Sequence, residues 1–149
     1  MTRKGFTFIE ILVVVTVIGL LASISMLILS GARARSRDAK RVSDVQIIRA
    51  ALEQHWLEKA SYPASAGFVN LGSGSAAQLT TNGLESVTGT GVIYLTLPVG
   101  PNANEYYQYQ STLFNGYALR FTTEQANTYG PAGTYYAHGV GVDTDPSSK

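Results

Sequence analysis

The segment R-K-G-F-T-F-I-E, residues 3–10, places a single carboxylate, Glu10, at the head of an apolar run. From Phe6 to Leu29 no other side chain ionises. A charge in such surroundings costs several kcal/mol unless it is paired. Either Glu10 snorkels to water about one helical turn into the run, or a cation comes to meet it. Elsewhere the residues able to do chemistry are sparse. The chain has no cysteine, hence no thiol nucleophile and no thiolate metal site. His55 and His138 stand far apart, without a cluster of ligands at metal-binding spacing, so His55 is expected to be a packing or exposed residue and not a ligand. Asp143 and Asp145 in G-V-D-T-D-P are weak calcium candidates, because two carboxylates fall short of the roughly six to eight oxygens that Ca²⁺ takes. G-S-G-S at 72–75 lacks the G-x-S-x-G pattern of a nucleophile elbow and reads as linker composition. No catalytic residue, phosphate loop or cofactor site emerges, and the sequence is not that of an enzyme.

The element that must position Glu10 is the apolar run itself. At about 1.5 Å per residue, a helix over Phe6–Leu29 spans ~36 Å, enough for a hydrocarbon core of ~30 Å. The run is longer than the ~7–15 apolar residues of a cleaved secretory signal, although Ala32 and Ala34 offer a cleavage site for that rival reading. Charge gives conflicting orientation. Arg3 and Lys4 precede the run, but residues 33–41, R-A-R-S-R-D-A-K-R, follow it with five basic side chains against one Asp.

The helix is expected to continue past Leu29. Val42, Val45, Ile48, Leu52 and Trp56 recur at spacings of three and four, which makes one apolar stripe. Arg37, Lys40, Asp44, Arg49, Glu53 and Glu58 supply the polar remainder, with Lys40–Asp44 and Arg49–Glu53 at i, i+4. Pro63 ends the pattern. Beyond it lies a Gly-, Ser- and Thr-rich stretch, residues 64–91, read as a connection with a short helix near 76–86. Four β-favouring runs follow, Val92–Leu97, Glu105–Ser111, Tyr117–Thr123 and Thr134–His138, spaced as an antiparallel meander. Tyr117, Leu119 and Phe121 alternate with Ala118, Arg120 and Thr122, so one face should be buried against the helical stripe. The implied fold class is α+β, a long N-terminal helix packed on a small antiparallel sheet. Its segments are 1–5, a leader; 6–30, a membrane and assembly helix; 31–59, an amphipathic helix; 60–91, a connection; and 92–149, sheet and tail.

K-G-F-T-F-I-E resembles the type III signal of type IV pilins and of type II secretion pseudopilins. That signal is a basic leader, a Gly before the cut, an aromatic after it, and Glu at the fifth position of the mature chain. The resemblance runs strongly to Pro63 and loosely beyond. It implies that a prepilin peptidase cuts between Gly5 and Phe6 and methylates the new Phe6 amine. It also implies a bacterial subunit that waits in the inner membrane as a single-pass protein. Assembly platform and ATPase machinery then draw it into an extracellular or periplasmic filament with identical or related subunits. Glu10 would there pair with the Phe6 ammonium of a neighbour. The chain departs from the common pattern in having Leu27 where many members carry a kinking Pro, which leaves Gly19 and Gly31 as the weak points. A disulfide-closed C-terminal region is impossible here, and the calcium site of major pseudopilins is represented at most by Asp143 and Asp145. The rival from another class is a membrane-tethered DNA-uptake or adhesion module. It rests on the basic run 33–41 together with the distal tyrosines. Core packing is the commoner reason for tyrosines that alternate in strands, so nucleic acid is not counted among the expected partners.

Overall fold

The computed structural model describes residues 5–112 and 115–149. The leader residues Arg3 and Lys4 and part of the T-L-F-N-G turn lie outside the described residues. Helix α1 spans Phe8–Lys59, within two residues of the N-terminal boundary read from the sequence. The chain divides into two compact units, Met1–Ser36 and Arg37–Lys149, each described by itself.

In the first unit α1 stays helical through both Gly19 and Gly31. Its described apolar side chains are exposed all round, from Phe8 at 83 % to Leu29 at 50 %. The helix carries an 18-residue window of mean hydropathy 2.8 and is long and apolar enough to cross a membrane. Three hydroxyls within the apolar run turn back onto the backbone. Thr16 donates to the Leu12 carbonyl at 2.7 Å, Ser23 to Gly19 at 2.9 Å and Ser25 to Leu21 at 2.8 Å. An apolar medium offers polar groups no partner, so hydroxyls satisfied within the helix remove that cost.

In the second unit the apolar stripe does what its spacing predicts. Val45, Ile48 and Leu52 are buried, with Val42 and Trp56 half-buried. α1 ends as Ala60 turns left-handed at φ 53° while its N–H still reaches the Trp56 carbonyl at 2.7 Å. Among the described residues eight short strands follow: β1 Val69–Asn70, β2 Gln78–Thr80, β3 Gly83–Glu85, β4 Ile93–Thr96, β5 Gln108–Gln110, β6 Ala118–Thr123, β7 Gly133–Ala137 and β8 Val142–Asp143. They form a five-stranded antiparallel sheet, β1-β5-β6-β7-β8, and a three-stranded one, β3-β2-β4.

Two expectations are corrected here. The short helix near 76–86 is instead the β2–β3 hairpin, with Leu79 facing Leu84 across it. Its closing loop is organised by Glu85, whose carboxylate accepts from the Thr80 hydroxyl at 2.6 Å and from the Gly91 N–H at 3.0 Å. Nor do the four distal runs make one meander: β4 pairs with β2, and the continuous meander is β5–β8. G-S-G-S is likewise a built turn. Gly72 has φ +79°, and any Cβ there would meet the Leu97 and Pro98 carbonyls at 3.0 Å, so glycine is required.

The core joins the helical stripe to Tyr107, Tyr109, Tyr117, Leu119, Phe121 and Tyr135 from the sheet. The rings lean on one another, with Tyr62 centred 4.8 Å from both Trp56 and Tyr117. Buried phenols need partners. Tyr107 donates to Asp44 at 2.8 Å, Tyr109 to the Pro63 carbonyl at 2.7 Å and Tyr135 to the Pro131 carbonyl at 2.6 Å. His55 is buried too. Its Nδ1 lies 2.8 Å from the Ser61 carbonyl, and its ring meets Tyr94 edge-on, so of the two roles expected, packing or exposure, it takes the first.

A charge network that the stripe reading missed fastens α1 to the sheet loops. Arg41 is 2 % exposed and is met by three carboxylates. Asp38 accepts from Nη1 at 2.7 Å and Glu124 from Nη2 at 2.8 Å, while Glu105 grips both Nε, at 2.5 Å, and Nη2, at 2.9 Å. Asp38 also accepts the backbone N–H groups of Glu124 and Gln125, at 3.0 and 2.8 Å. Arg37 adds a second fork on Glu124. Of the helix pairs expected, Lys40–Asp44 forms at 2.6 Å. Arg49 and Glu53 turn elsewhere, Arg49 toward Gln46 and the Gly139 carbonyl and Glu53 to the Tyr62 hydroxyl.

Hydrogen bonds from Arg37 and Arg41 hold the Glu124 carboxyl down at about 2, and those from Arg41 lower Glu105. A carboxylate depressed in the folded state stabilises above its unfolded value and loses that contribution as pH falls through the folded value. Stability should therefore drop between pH ~4.5 and ~2. Urea midpoints measured across that interval check it, and Glu124→Gln should flatten the fall.

Candidate functional site at the N-terminal helix

The start of α1 is built by T-F-I-E, residues 7–10. Thr7 is the N-cap: its carbonyl accepts the first helical bond, from Ile11 N–H at 3.4 Å. Glu10, three residues on, folds back so that Oε2 accepts the Thr7 N–H at 3.3 Å and the Thr7 hydroxyl at 3.4 Å. This is half of a capping box, and it puts a negative charge in the first turn, where the helix dipole favours it. The pattern S/T-x-x-E was present in the sequence and would have given Glu10 this local role, which the search for a cationic partner passed over.

The geometry keeps Glu10 exposed, as it does Phe6 and the apolar residues that follow. Gly5 and Phe6 lie just before the helix in irregular backbone. Gly5 has open space where a Cβ would be. The site therefore holds three things within six residues: an open Gly5–Phe6 bond, a capped helix start and the single carboxylate of the apolar run. Arg33 and Arg35, from the basic run, are exposed on the same helix.

The other sequence candidates fall elsewhere. Asp143 lies in β8 and Asp145 just after it, both with Lys149 Nζ between their carboxylates, at 2.8 and 2.7 Å. His138, fully buried, sets Nδ1 2.8 Å from the Tyr117 carbonyl and Nε2 3.1 Å from Asp143 Oδ1. Among the described residues no group of three or more His, Cys, Asp or Glu side chains is arranged to hold a metal ion. A cleft of about 250 Å³ lies along β5 and β6, lined by Glu105, Tyr106, Gln108, Arg120 and Thr122 among others, and Arg120 there donates to the Gln108 side chain at 2.8 Å.

Comparison with known proteins agrees with the geometry. The family model for the prokaryotic N-terminal methylation motif matches residues 1–30. Type II secretion system core protein G of Vibrio cholerae is 30% identical over 141 residues, covering 95% of this chain and 89% of that protein. The proteins of the same name from Escherichia coli (strain K12) and Klebsiella michiganensis are 36% and 34% identical over 63 and 64 residues. Those shorter matches span 43% and 45% of the relatives' own lengths, so over them the chain covers less than half of each. No solved structure matches. With a match over nearly its whole length, and with the motif, the stem and the sheet in place, the chain belongs to the type IV pilin and pseudopilin family that includes type II secretion core protein G.

Proposed function

We propose that the chain is a structural subunit of a type II secretion filament and performs no catalysis. The observation that carries this is the surface of α1 from Phe8 to Leu29, apolar on every side and uncovered in the isolated chain. Such a surface has two stable destinations, lipid and other copies of itself. The subunit starts in the first, anchored in the inner membrane, and ends in the second, where stems bundle and bury their apolar side chains against one another. Prepilin peptidase frees the Phe6 amine by cutting after Gly5. Glu10 then meets the Phe6 ammonium of a neighbouring subunit, so that in the stem bundle a wrong stagger leaves a charge unpaired. In the monomer Glu10 is held by Thr7, whose long bonds of 3.3 and 3.4 Å are readily exchanged for a cation.

Mass spectrometry of the mature N-terminus tests the processing step. N-methyl-Phe6 is the expected terminus, and a chain beginning after Ala32 or Ala34 would replace this reading with that of a released domain. The DNA-uptake or adhesion reading is not favoured, because six of the eight distal tyrosines that suggested stacking platforms are in the core or packed against it.

A further inference from the structure

We propose that Lys149 serves as a tethered cation that closes the C-terminal segment, so that this subunit holds its tail without calcium. The donors that would have to bind a metal are already spent. Asp143 Oδ1 accepts from the Asp145 N–H at 2.8 Å and lies 3.1 Å from His138 Nε2, and Oδ2 accepts from Lys149 Nζ at 2.8 Å. Asp145 Oδ1 accepts the Ser147 N–H at 3.0 Å, and its Oδ2 takes the same ammonium at 2.7 Å. All four carboxylate oxygens thus have donors, and the positive charge between the two carboxylates is covalently part of the chain. A Ca²⁺ ion would have to displace that ammonium and still find only two carboxylates of the oxygens it needs.

The main chain of Lys149 is seated as well as its side chain. Its carbonyl accepts the Tyr117 N–H at 3.2 Å, just before β6. A Cβ on Gly116 would come within 2.4 Å of the Lys149 carbonyl carbon, so glycine at 116 leaves the space that the residue fills. Asp143 belongs to β8, the edge of the five-stranded sheet, and the His138 that touches it is buried behind β7. The latch therefore joins the tail, the sheet edge and the start of β6 at one point. The Lys149 ammonium is also the first cause that holds both aspartates below the usual carboxylate range.

Hydrogen exchange on the full chain in detergent micelles reads the latch directly. The Tyr117, Asp145 and Ser147 amides should exchange at the same rate with CaCl₂ or with EDTA, and calorimetric titration should show no saturable Ca²⁺ binding below ~1 mM. Lys149→Ala should speed exchange at these amides ~10-fold, by raising the open population of the tail alone. Salt at ~1 M should speed them in the wild type, because exposed pairs are screened. Gly116→Ala, which expels the Lys149 backbone and leaves its ammonium intact, should speed Tyr117 most. Saturable calcium binding that slows exchange in the wild type would overturn the proposal, as would Lys149→Ala with wild-type exchange. None of these readouts depends on whether the chain polymerises.

Discussion

Arg41→Ala is expected to cost ~3–5 kcal/mol of folding stability, seen as a lower urea midpoint at an unchanged slope. The size follows from what remains behind. Arg41 is 2 % exposed, and its removal leaves Asp38, itself 5 % exposed, facing Glu105 and Glu124 with no guanidinium between them. Three carboxylates without that cation repel one another, and Asp38 can no longer hold the Glu124 and Gln125 amides without that cost. Arg41→Met fills more of the volume but should fare little better, because the loss is electrostatic and not steric. Arg37→Ala is the control. Arg37 makes a fork on the same Glu124, yet a third of its side chain is exposed, so solvent screens the pair and its loss should be much the smaller of the two. An Arg41→Ala loss no greater than that of Arg37→Ala would show that the buried network does not fasten helix to sheet.

Filament formation should fall at least ~10-fold in Glu10→Val, the equivalent of ~1.4 kcal/mol or more per subunit added. Two roles of Glu10 converge in that loss, and a second variant separates them. Glu10→Gln keeps an oxygen that can accept the Thr7 N–H, so it preserves the cap seen in the monomer while abolishing the charge. If the proposed pairing with the neighbouring Phe6 ammonium sets register, Gln and Val both fail in filament assays while membrane levels stay normal. If capping is all that Glu10 does, Gln assembles and Val does not, since a cap contributes ~0.5–2 kcal/mol. Normal filaments from Glu10→Val would remove both roles.

Much of this molecule was legible before any coordinates. The apolar run, its lone carboxylate and the stripe from Val42 to Trp56 are local patterns, and period alone places them on one helix. Alternation in Y-A-L-R-F-T-T likewise marked the buried face of β6. What escaped notice depends on partners distant in sequence. Asp38 and Arg41, three residues apart in a charged run, look like a solvated face. Their burial is decided by Glu105 and Glu124, which lie 64 and 86 residues away from their helix partners. The β2–β3 hairpin was hidden for another reason. Its strands are three residues each, too short to show a period, and its loop is stabilised by Glu85 folding back onto Thr80, which no composition rule anticipates. The aspartates of the tail were readable as possible ligands, but the lysine that occupies them sits at the far end of a turn.

The hydroxyls of Thr16, Ser23 and Ser25, each folded onto the carbonyl one turn back, bear on reversibility. Where the stem's hydroxyls are satisfied in this way, lipid tails can be traded for the side chains of neighbouring subunits, and traded back, without breaking those hydrogen bonds. Along that stretch, entry into a filament and return to the bilayer differ only in how closely apolar groups fit. The energy that holds a subunit in one place or the other is then free to be set at the two ends of the stem, where the charges are.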